Sequence, residues 1–327
     1  MILDLKLEYD KRNKRLLSKQ SAYRPSQEVK DRTAQVLADF AIANTIHNKP
    51  YREFNDLSLR QRIALDQMSW NQFIESASAD PAESWRSRAF RPIVRNRCIV
   101  IAAHMTAQVL YPKVFAQNEQ DEEDRDAATV MRSLVEWAGN QSNYDEKFIY
   151  ALVSALYNPV TIIYTEYVER MRKVKERNSK EEEGKGKWKE IEIPDEEFSG
   201  FQDIVVPPDE FFIANIYEHD IQKQPYLIWR RVIDESTAKA KYGNNENFRQ
   251  YVKPGLQLLN GDNAEAFYEV YDKELEGRLY EEVLYFSCNG DLQLAFVNGV
   301  LLDDVDNPNP RKDKRYPFAK GGYELID

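Results

Sequence analysis

The chain has little cysteine: Cys98 and Cys288 are the only two in 327 residues. Two cysteines cannot form the set of bridges that stabilises small secreted domains, and they supply no paired metal-ligand spacing. We therefore interpret both as reduced residues of the hydrophobic core, with Cys98 in a helix and Cys288 in a strand.

Long apolar runs are also missing. The longest, residues 98–103, is far shorter than the roughly 20 residues with which a helix crosses a bilayer. The segment MILDLKLEYDKRNKR at the amino terminus lacks the apolar centre of a signal peptide. The sequence therefore predicts a soluble, intracellular product with no membrane partner. A hydrophobic fraction of 42%, with 15 Phe and 19 Tyr, is sufficient for a folded core.

Motifs of catalysis are the third absence. The sequence has no nucleophile elbow and no dinucleotide fingerprint, and the glycines at 184–188 lack the spacing of a phosphate loop. We interpret residues 184–188 as a flexible tip, and we predict that the protein is not an enzyme. An enzyme whose carboxylate site is assembled from distant residues stays an alternative, which a divalent-cation-dependent activity would reveal.

Candidate ligands for metal ions are few and scattered. The histidines, His47, His104 and His219, are far apart, whereas a zinc site needs about four ligands. The acidic groups at 121–124 and 303–306 lack the spaced ligands and central glycine of a calcium loop, so we interpret them as a solvated helix entrance and a solvated turn. The sequence thus predicts no catalytic, metal-binding or cofactor-binding residues.

The net charge of −10 comes from 55 acidic and 45 basic residues. Because phosphate binding requires a basic surface, this charge opposes tight nonspecific binding of DNA. We interpret residues 170–189, which include Trp188, as a charged and exposed hairpin. We expect a cluster of arginines to divide between intersubunit salt bridges and solvent: Arg86, Arg88, Arg91, Arg95 and Arg97. Contact with DNA is the alternative for both segments.

Apolar residues recur at helical spacing in the first half of the chain. The stripe within 29–41 predicts a helix that ends at 48–50, and Ser58 with Gln61 forms a capping box that opens a helix to about Glu75. Further helices are predicted at 90–111, 127–139 and 144–157, with stripes that we expect to share one face. Their members are Val94, Cys98, Ile101, Ala102, Met105 and Val109; Val130, Met131, Leu134 and Ala138; and Phe148, Leu152 and Leu156.

The periodicity changes after residue 159. Residues 160–168 are β-branched and aromatic and predict a strand that continues to 177, with 198–206 as its returning partner. Residues 178–192 lose nearly all apolar side chains, so we expect a solvated, mobile hairpin tip.

Residues 201–242 read FQDIVVPPDEFFIANIYEHDIQKQPYLIWRRVIDESTAKAKY. The prolines at 207–208 end a first strand, and apolar runs at 211–216 and 226–233 predict two more. Asp234 is a helix N-cap and Gly243 follows the helix end. Strands are then predicted at 266–271, 282–287 and 292–297, and the Asn-Gly pairs at 289–290 and 298–299 favour tight hairpins, so these strands form a meander.

This order of segments resembles the wing region of tailed-bacteriophage portal proteins. Three further stretches occur in the same order as in that family: WRSRAFRP at 85–92, VFAQNEQDEE at 114–123 and RYPF at 315–318. The resemblance covers roughly three quarters of the chain. It implies an α+β fold in which 1–158 is a helical portion of the wing, 159–206 a long β-hairpin with a charged tip, and 207–327 a β-rich wing portion. Stem, clip and crown have no counterpart before Asp327.

The resemblance also implies a function. Portal proteins are structural subunits of a dodecameric ring at one capsid vertex, through which double-stranded DNA is packaged and ejected without sequence recognition. The implied partners are further copies of the chain, the terminase packaging motor, the capsid and the neck or adaptor proteins. The implied location is the virion, with assembly in the host cytoplasm. The alternative is a nucleic-acid-binding or processing protein of phage origin. Without a stem, we expect the isolated chain to be monomeric or weakly associating at micromolar concentration.

Overall fold

A computed structural model describes residues 24–52, 55–71, 93–106, 113–158, 160–168, 171–177, 188–194, 199–256, 278–287, 290–302 and 314–321. The fold is α+β, as predicted, with helices before residue 158 and mostly strands after it. The chain divides into two compact units. The first, here the sheet unit, comprises Met1–Ile63, Pro207–Tyr316 and Ile326–Asp327. The second, here the helical unit, comprises Ala64–Val206 and Pro317–Leu325.

The described helices, in chain order, are α1 (Gln27–Asn48), α2 (Leu59–Asn71), α3 (Ile93–Thr106), α4 (Glu122–Ser142), α5 (Tyr144–Tyr157), α6 (Glu235–Tyr242) and α7 (Glu246–Tyr251). The described strands are β1 (Pro50–Tyr51), β2 (Leu57–Ser58), β3 (Thr161–Val168), β4 (Met171–Arg177), β5 (Trp188–Pro194), β6 (Gly200–Val206), β7 (Phe211–Ile213), β8 (Tyr226–Asp234), β9 (Leu279–Ser287), β10 (Leu292–Val297), β11 (Val300–Leu301) and β12 (Phe318–Gly321). A 3₁₀ turn covers Ile221–Lys223.

The sheet unit is built on five antiparallel strands in the order β11-β10-β9-β8-β7. Ile228 lies opposite Tyr285 in the β8–β9 ladder. Because side chains alternate between the faces of a strand, these two residues share a face, and α1 packs on it. The resulting core cluster contains Val36, Phe40, Ala43, Phe212, Tyr226, Ile228, Val283, Tyr285, Leu294, Phe296 and Leu301.

The helices α6 and α7 belong to the opposite face of this sheet. The Tyr242 hydroxyl at the end of α6 donates to the Glu282 carboxylate on β9. The rings of Phe248 on α7 and Tyr280 on β9 have centroids 6.0 Å apart. Both faces of β8 and β9 are therefore covered, which explains why these strands are buried at most positions instead of alternating between buried and exposed.

Three local signals of the sequence are confirmed. The Ser58 backbone N–H donates to Gln61 Oε1 at 2.9 Å and the Gln61 N–H donates to Ser58 Oγ at 3.2 Å, which is a capping box. The Asp234 side chain accepts from backbone N–H groups in the first turn of α6. The turn between β10 and β11 has positive φ at both central residues, 47° at Asn298 and 76° at Gly299, as a type I′ hairpin requires.

The helical unit contains a three-stranded antiparallel sheet in the order β12-β3-β6. Tyr164 at its centre lies opposite Ile204 on one side and Phe318 on the other. α3 packs on α5, where the Cys98 thiol approaches the Leu156 carbonyl oxygen at 3.9 Å. Cys98 is buried and reduced, as the sequence predicted.

β4 and β5 form a separate two-stranded ladder, in which Lys175 lies opposite Glu190. The predicted hairpin tip at 178–192 is therefore too long, since β5 begins at Trp188. The reason lies in residues 188–193, where isoleucines alternate with charged residues at the period of a strand. Residues 178–187 lie outside the described ranges.

Several predictions fall on residues that the structure does not describe. These are Arg86, Arg88 and Arg91, Cys288, the WRSRAFRP stretch at 85–92, the strand at 266–271 and the acidic turn at 303–306. None of the helices in the described ranges is both long and apolar enough to cross a membrane.

Candidate interaction surface

Charged residues lie in the middle of the sheet. Arg230 and Arg231 on β8 face Glu281 and Glu282 on β9, and the two ion pairs lie on opposite faces because neighbouring residues of a strand alternate. The Arg230 Nε–Glu281 Oε1 distance is 2.6 Å, and the two side chains are only 5% and 1% exposed. Each guanidinium thus pairs with a carboxylate that is shielded from water.

Three positively charged or hydrogen-bond-donating groups contact the Glu282 carboxylate. Arg231 Nε and the Tyr242 hydroxyl donate to its carboxylate, and Lys241 Nζ lies 3.0 Å from its Oε1. Burial by itself raises the pKa of Glu282, but Lys241, Arg231 and the hydrogen bonds outweigh it, so the pKa is lowered. Glu282 therefore stays ionised.

Glu210, beside this group, has the opposite environment. Burial raises its pKa to about 7, although Trp229 Nε1 donates to its Oε2 at 3.3 Å and partly offsets this effect. Two carboxyls with pKa values displaced in opposite directions are typical of an acid and base pair. Glu282, however, is 0% exposed, so a substrate cannot reach its carboxylate. We interpret the group as a closed network that joins β8, β9 and α6.

The other face of the sheet contains a second polar group, next to α1. The Tyr285 hydroxyl donates to Asp39 Oδ2 at 2.6 Å, and the Tyr226 hydroxyl donates to the Asp39 carbonyl at 2.9 Å. Burial raises the pKa of Tyr226 to about 12. These bonds tie α1 to β8 and β9, so they are structural contacts.

The histidines do not come together. His47 is buried on α1 with its ring 4.5 Å from that of Phe212, and burial lowers its pKa to about 4. His104 and His219 are exposed at other places in the chain. Among the residues that the structure describes, no three histidine, cysteine or carboxylate side chains are placed to hold a metal ion.

The acidic group at 121–124 lies at the start of a helix. The Asp121 side chain accepts the Glu123 N–H at 3.1 Å and caps α4.

The apolar stripe of α4 lies on an exposed face of the helix. Val130 is 67% exposed, Leu134 51% and Trp137 44%. The residues that α4 buries are Ala128 and Ser142, on the opposite side of the helix. The stripe is apolar and has helical spacing, yet the described residues of this chain do not cover it.

The predicted stripe of α3 is divided in the same way. Cys98 and Ala102 are buried, whereas Val94, Ile101 and Met105 are 41%, 46% and 53% exposed. Only small residues of α3 face α5, and the larger apolar side chains lie on the surface. Val109, the last member of the predicted stripe, lies outside the described residues.

A polar cavity of about 280 Å³ lies between the α4–α5 turn and the ends of β3 and β6. It is lined by Gln141, Ser142, Asn143, Lys147, Val168, Gly200, Phe201 and Gln202. At its rim, the exposed rings of Tyr167 and Phe201 have centroids 5.4 Å apart. Among the described residues, amides and one ammonium line the cavity, and none of them is a carboxylate or an imidazole of the kind that general acid–base catalysis requires.

Sequence reasoning missed both the closed network and the exposed faces. The network had a readable signal, because Arg230-Arg231 and Glu281-Glu282 interrupt two apolar strands with opposite charges. The exposed faces had no such signal, since a stripe that faces a core and one that faces another subunit have the same spacing. No protein-family model matches the chain, and no curated protein is significantly similar to it.

Proposed function

We propose that this protein is a portal subunit, a structural component of the ring through which a tailed phage packages and ejects its DNA. The observation that carries the proposal is the exposed apolar face of α4. An apolar stripe of this kind in a folded protein is typical of a surface that another protein covers. The ordered segments that resemble portal proteins supply the identity of the assembly.

The mechanism would be geometric and electrostatic. In a ring each subunit uses two different surfaces, one toward each neighbour, and the contact closes after a fixed number of copies. A net charge of −10 suits a conduit for DNA, because an acidic wall does not hold the phosphate backbone. The capsid, the packaging motor and the neck proteins would bind the outside of the ring, and the protein would act in the virion.

The proposal is tested by measuring the oligomeric state of the purified chain. We expect sedimentation analysis to show at most weak association at micromolar concentration, rising as the concentration is increased, and negative-stain imaging of the most concentrated sample to show closed rings of uniform size. A chain that stays monomeric at every concentration would contradict the proposal.

The competing interpretation, a nucleic-acid-binding protein, predicts a different result in the same samples. Its affinity for double-stranded DNA would be strong and would fall steeply as salt is added. For a portal subunit we expect weak binding at physiological salt. Strong, salt-sensitive binding by a monomer would reject the portal proposal.

A further inference from the structure

The exposed side of α3 contains a seam of residues at the spacing of a coiled coil. Ile93, Arg97, Val100 and His104 follow each other at intervals of four, three and four residues, and all four are exposed. Ile93 is 54% and Val100 55% exposed. We call these residues the α3 seam.

An exposed seam with the same spacing runs along α4. Glu123, Ala127, Val130, Leu134 and Trp137 are separated by four, three, four and three residues, and all are exposed. We call these residues the α4 seam. Each seam lies on the side of its helix away from the residues that the helix buries.

The two helices differ in charge. α3 contains Arg95 and Arg97 and no acidic residue. α4 begins with Glu122, Glu123 and Asp124 in its first turn. The α3 seam therefore combines the apolar Ile93 and Val100 with Arg97 and His104, and Arg97 supplies a cation near its amino end. The α4 seam is apolar with an anion at its amino end. This complementarity favours contact between the seams with the helices parallel.

We propose that the α3 seam of one subunit packs against the α4 seam of the next. With Val100 opposite Val130, the interval of seven residues places Ile93 at the level of Glu123, and Arg97 is one turn from that carboxylate. Because the two seams are different surfaces of one chain, the contact is heterologous, as a ring requires. The inference rests on the proposed ring function and assigns its subunit contact.

Disulfide trapping between two populations of the full chain tests the pairing. Both populations have their native cysteines replaced by alanine; one contains Val100→Cys and the other Val130→Cys. We expect oxidation of the mixture to yield a mixed disulfide dimer, and each population alone to stay largely monomeric. The matched control moves one cysteine to Ile99, which is 45% exposed on the same helix but off the seam, and should give little dimer.

Charge reversal gives a second measurement on the same pair. Arg97→Glu in the Val100→Cys chain should lower the mixed dimer about fivefold, since an exposed ion pair contributes about 1 kcal/mol at most and that energy corresponds to roughly this factor. Adding Glu123→Arg to the Val130→Cys chain should restore the yield. Circular dichroism establishes that each variant is folded.

Failure of the pairing and failure of the portal function have different signatures. Rings that form normally while the mixed dimer is absent, or an equal yield with the Ile99→Cys control, would overturn the pairing and leave the portal proposal intact. A mixed dimer that follows the charge reversals, in a sample that never closes into rings, would support the pairing and reject the portal. Val100→Cys dimers formed with themselves would indicate a symmetric contact and would also overturn the pairing.

Discussion

Glu282 in the sheet unit and Leu134 in the helical unit both depart from the ordinary placement of their side chains, in opposite directions. The carboxylate is 0% exposed and the leucine 51%. Glu282 is compensated within the chain, because Arg231, Lys241 and Tyr242 bind it. Leu134 lies in an apolar stripe that the described residues do not cover. The sheet unit thus satisfies its unusual groups internally, whereas the helical unit leaves its own uncovered by the described residues.

The two units differ in how much free energy their apolar side chains gain on folding. Full burial of a large apolar side chain contributes about 1.5–3 kcal/mol relative to exposure. In the sheet unit Leu294, Phe296 and Ile228, each 0% exposed, gain this energy on folding. Val130 and Leu134, which are 67% and 51% exposed, gain only about half of this energy or less within the described fold. Burial of exposed apolar side chains such as these in an interface would therefore contribute to the free energy of association.

The largest effect should come from breaking an ion pair of the sheet unit. Arg230→Met leaves the Glu281 carboxylate, whose side chain is 1% exposed, without its guanidinium. Removing one partner of a buried ion pair costs about 3–5 kcal/mol, so the free energy of unfolding should fall by that amount in denaturant titrations. The double variant with Glu281→Met should recover most of the loss, because two apolar side chains need no charge partner. A stable Arg230→Met protein would show that the pair is solvated.

A pair of leucine variants tests the contrast itself. Leu294→Ala in the sheet unit removes a side chain of 0% exposure and should cost about 2–5 kcal/mol. Leu134→Ala in the helical unit removes one of 51% exposure and should cost about 0.5 kcal/mol or less. The same Leu134→Ala change should weaken self-association in sedimentation analysis. Equal losses of stability in the two variants would mean that the α4 stripe is covered within the monomer.

The next effect depends on pH. The pKa of Glu210 is about 7 in the folded chain, against an ordinary value of 4.5. Between these values the unfolded chain has released a proton that the folded chain still holds. The stabilising contribution is thus complete below pH 4.5 and is lost as pH rises through about 7. It amounts to about 3 kcal/mol.

Glu210→Gln removes this titration, since an amide stays neutral. The variant should resemble the wild type at pH 4 and be the more stable protein at pH 8, by up to about 3 kcal/mol. Asp209→Asn, at the exposed neighbouring position, removes a negative charge that contributes to the raised pKa of Glu210, so it should move the titration to lower pH without abolishing it. Parallel pH profiles of wild type and Glu210→Gln would show that Glu210 is accessible to water.

The sequence predicted those features that depend on a few neighbouring residues. The Ser58–Gln61 capping box, the Asp234 N-cap and the strands on either side of Pro207 follow from local hydrogen bonding and from the missing proline N–H. It could not predict which partner an apolar stripe meets. The spacing of the α4 stripe is the same whether the stripe faces a core or solvent, and only the placement of its neighbours distinguishes the two.

The Asn298–Gly299 turn gives the smallest effect and the sharpest test of local prediction. Gly299 has φ +76°, and a Cβ there would have open space around it. Gly299→Val should therefore destabilise the sheet unit through backbone strain alone, by about 1 kcal/mol or more, because a β-branched residue resists positive φ. Gly200→Ala is the matched control, since Gly200 also has open space but its φ is not positive. Hydrogen exchange of β10 should accelerate in Gly299→Val while Gly200→Ala leaves it unchanged. Equal protection in both variants would mean that the turn does not require its glycine.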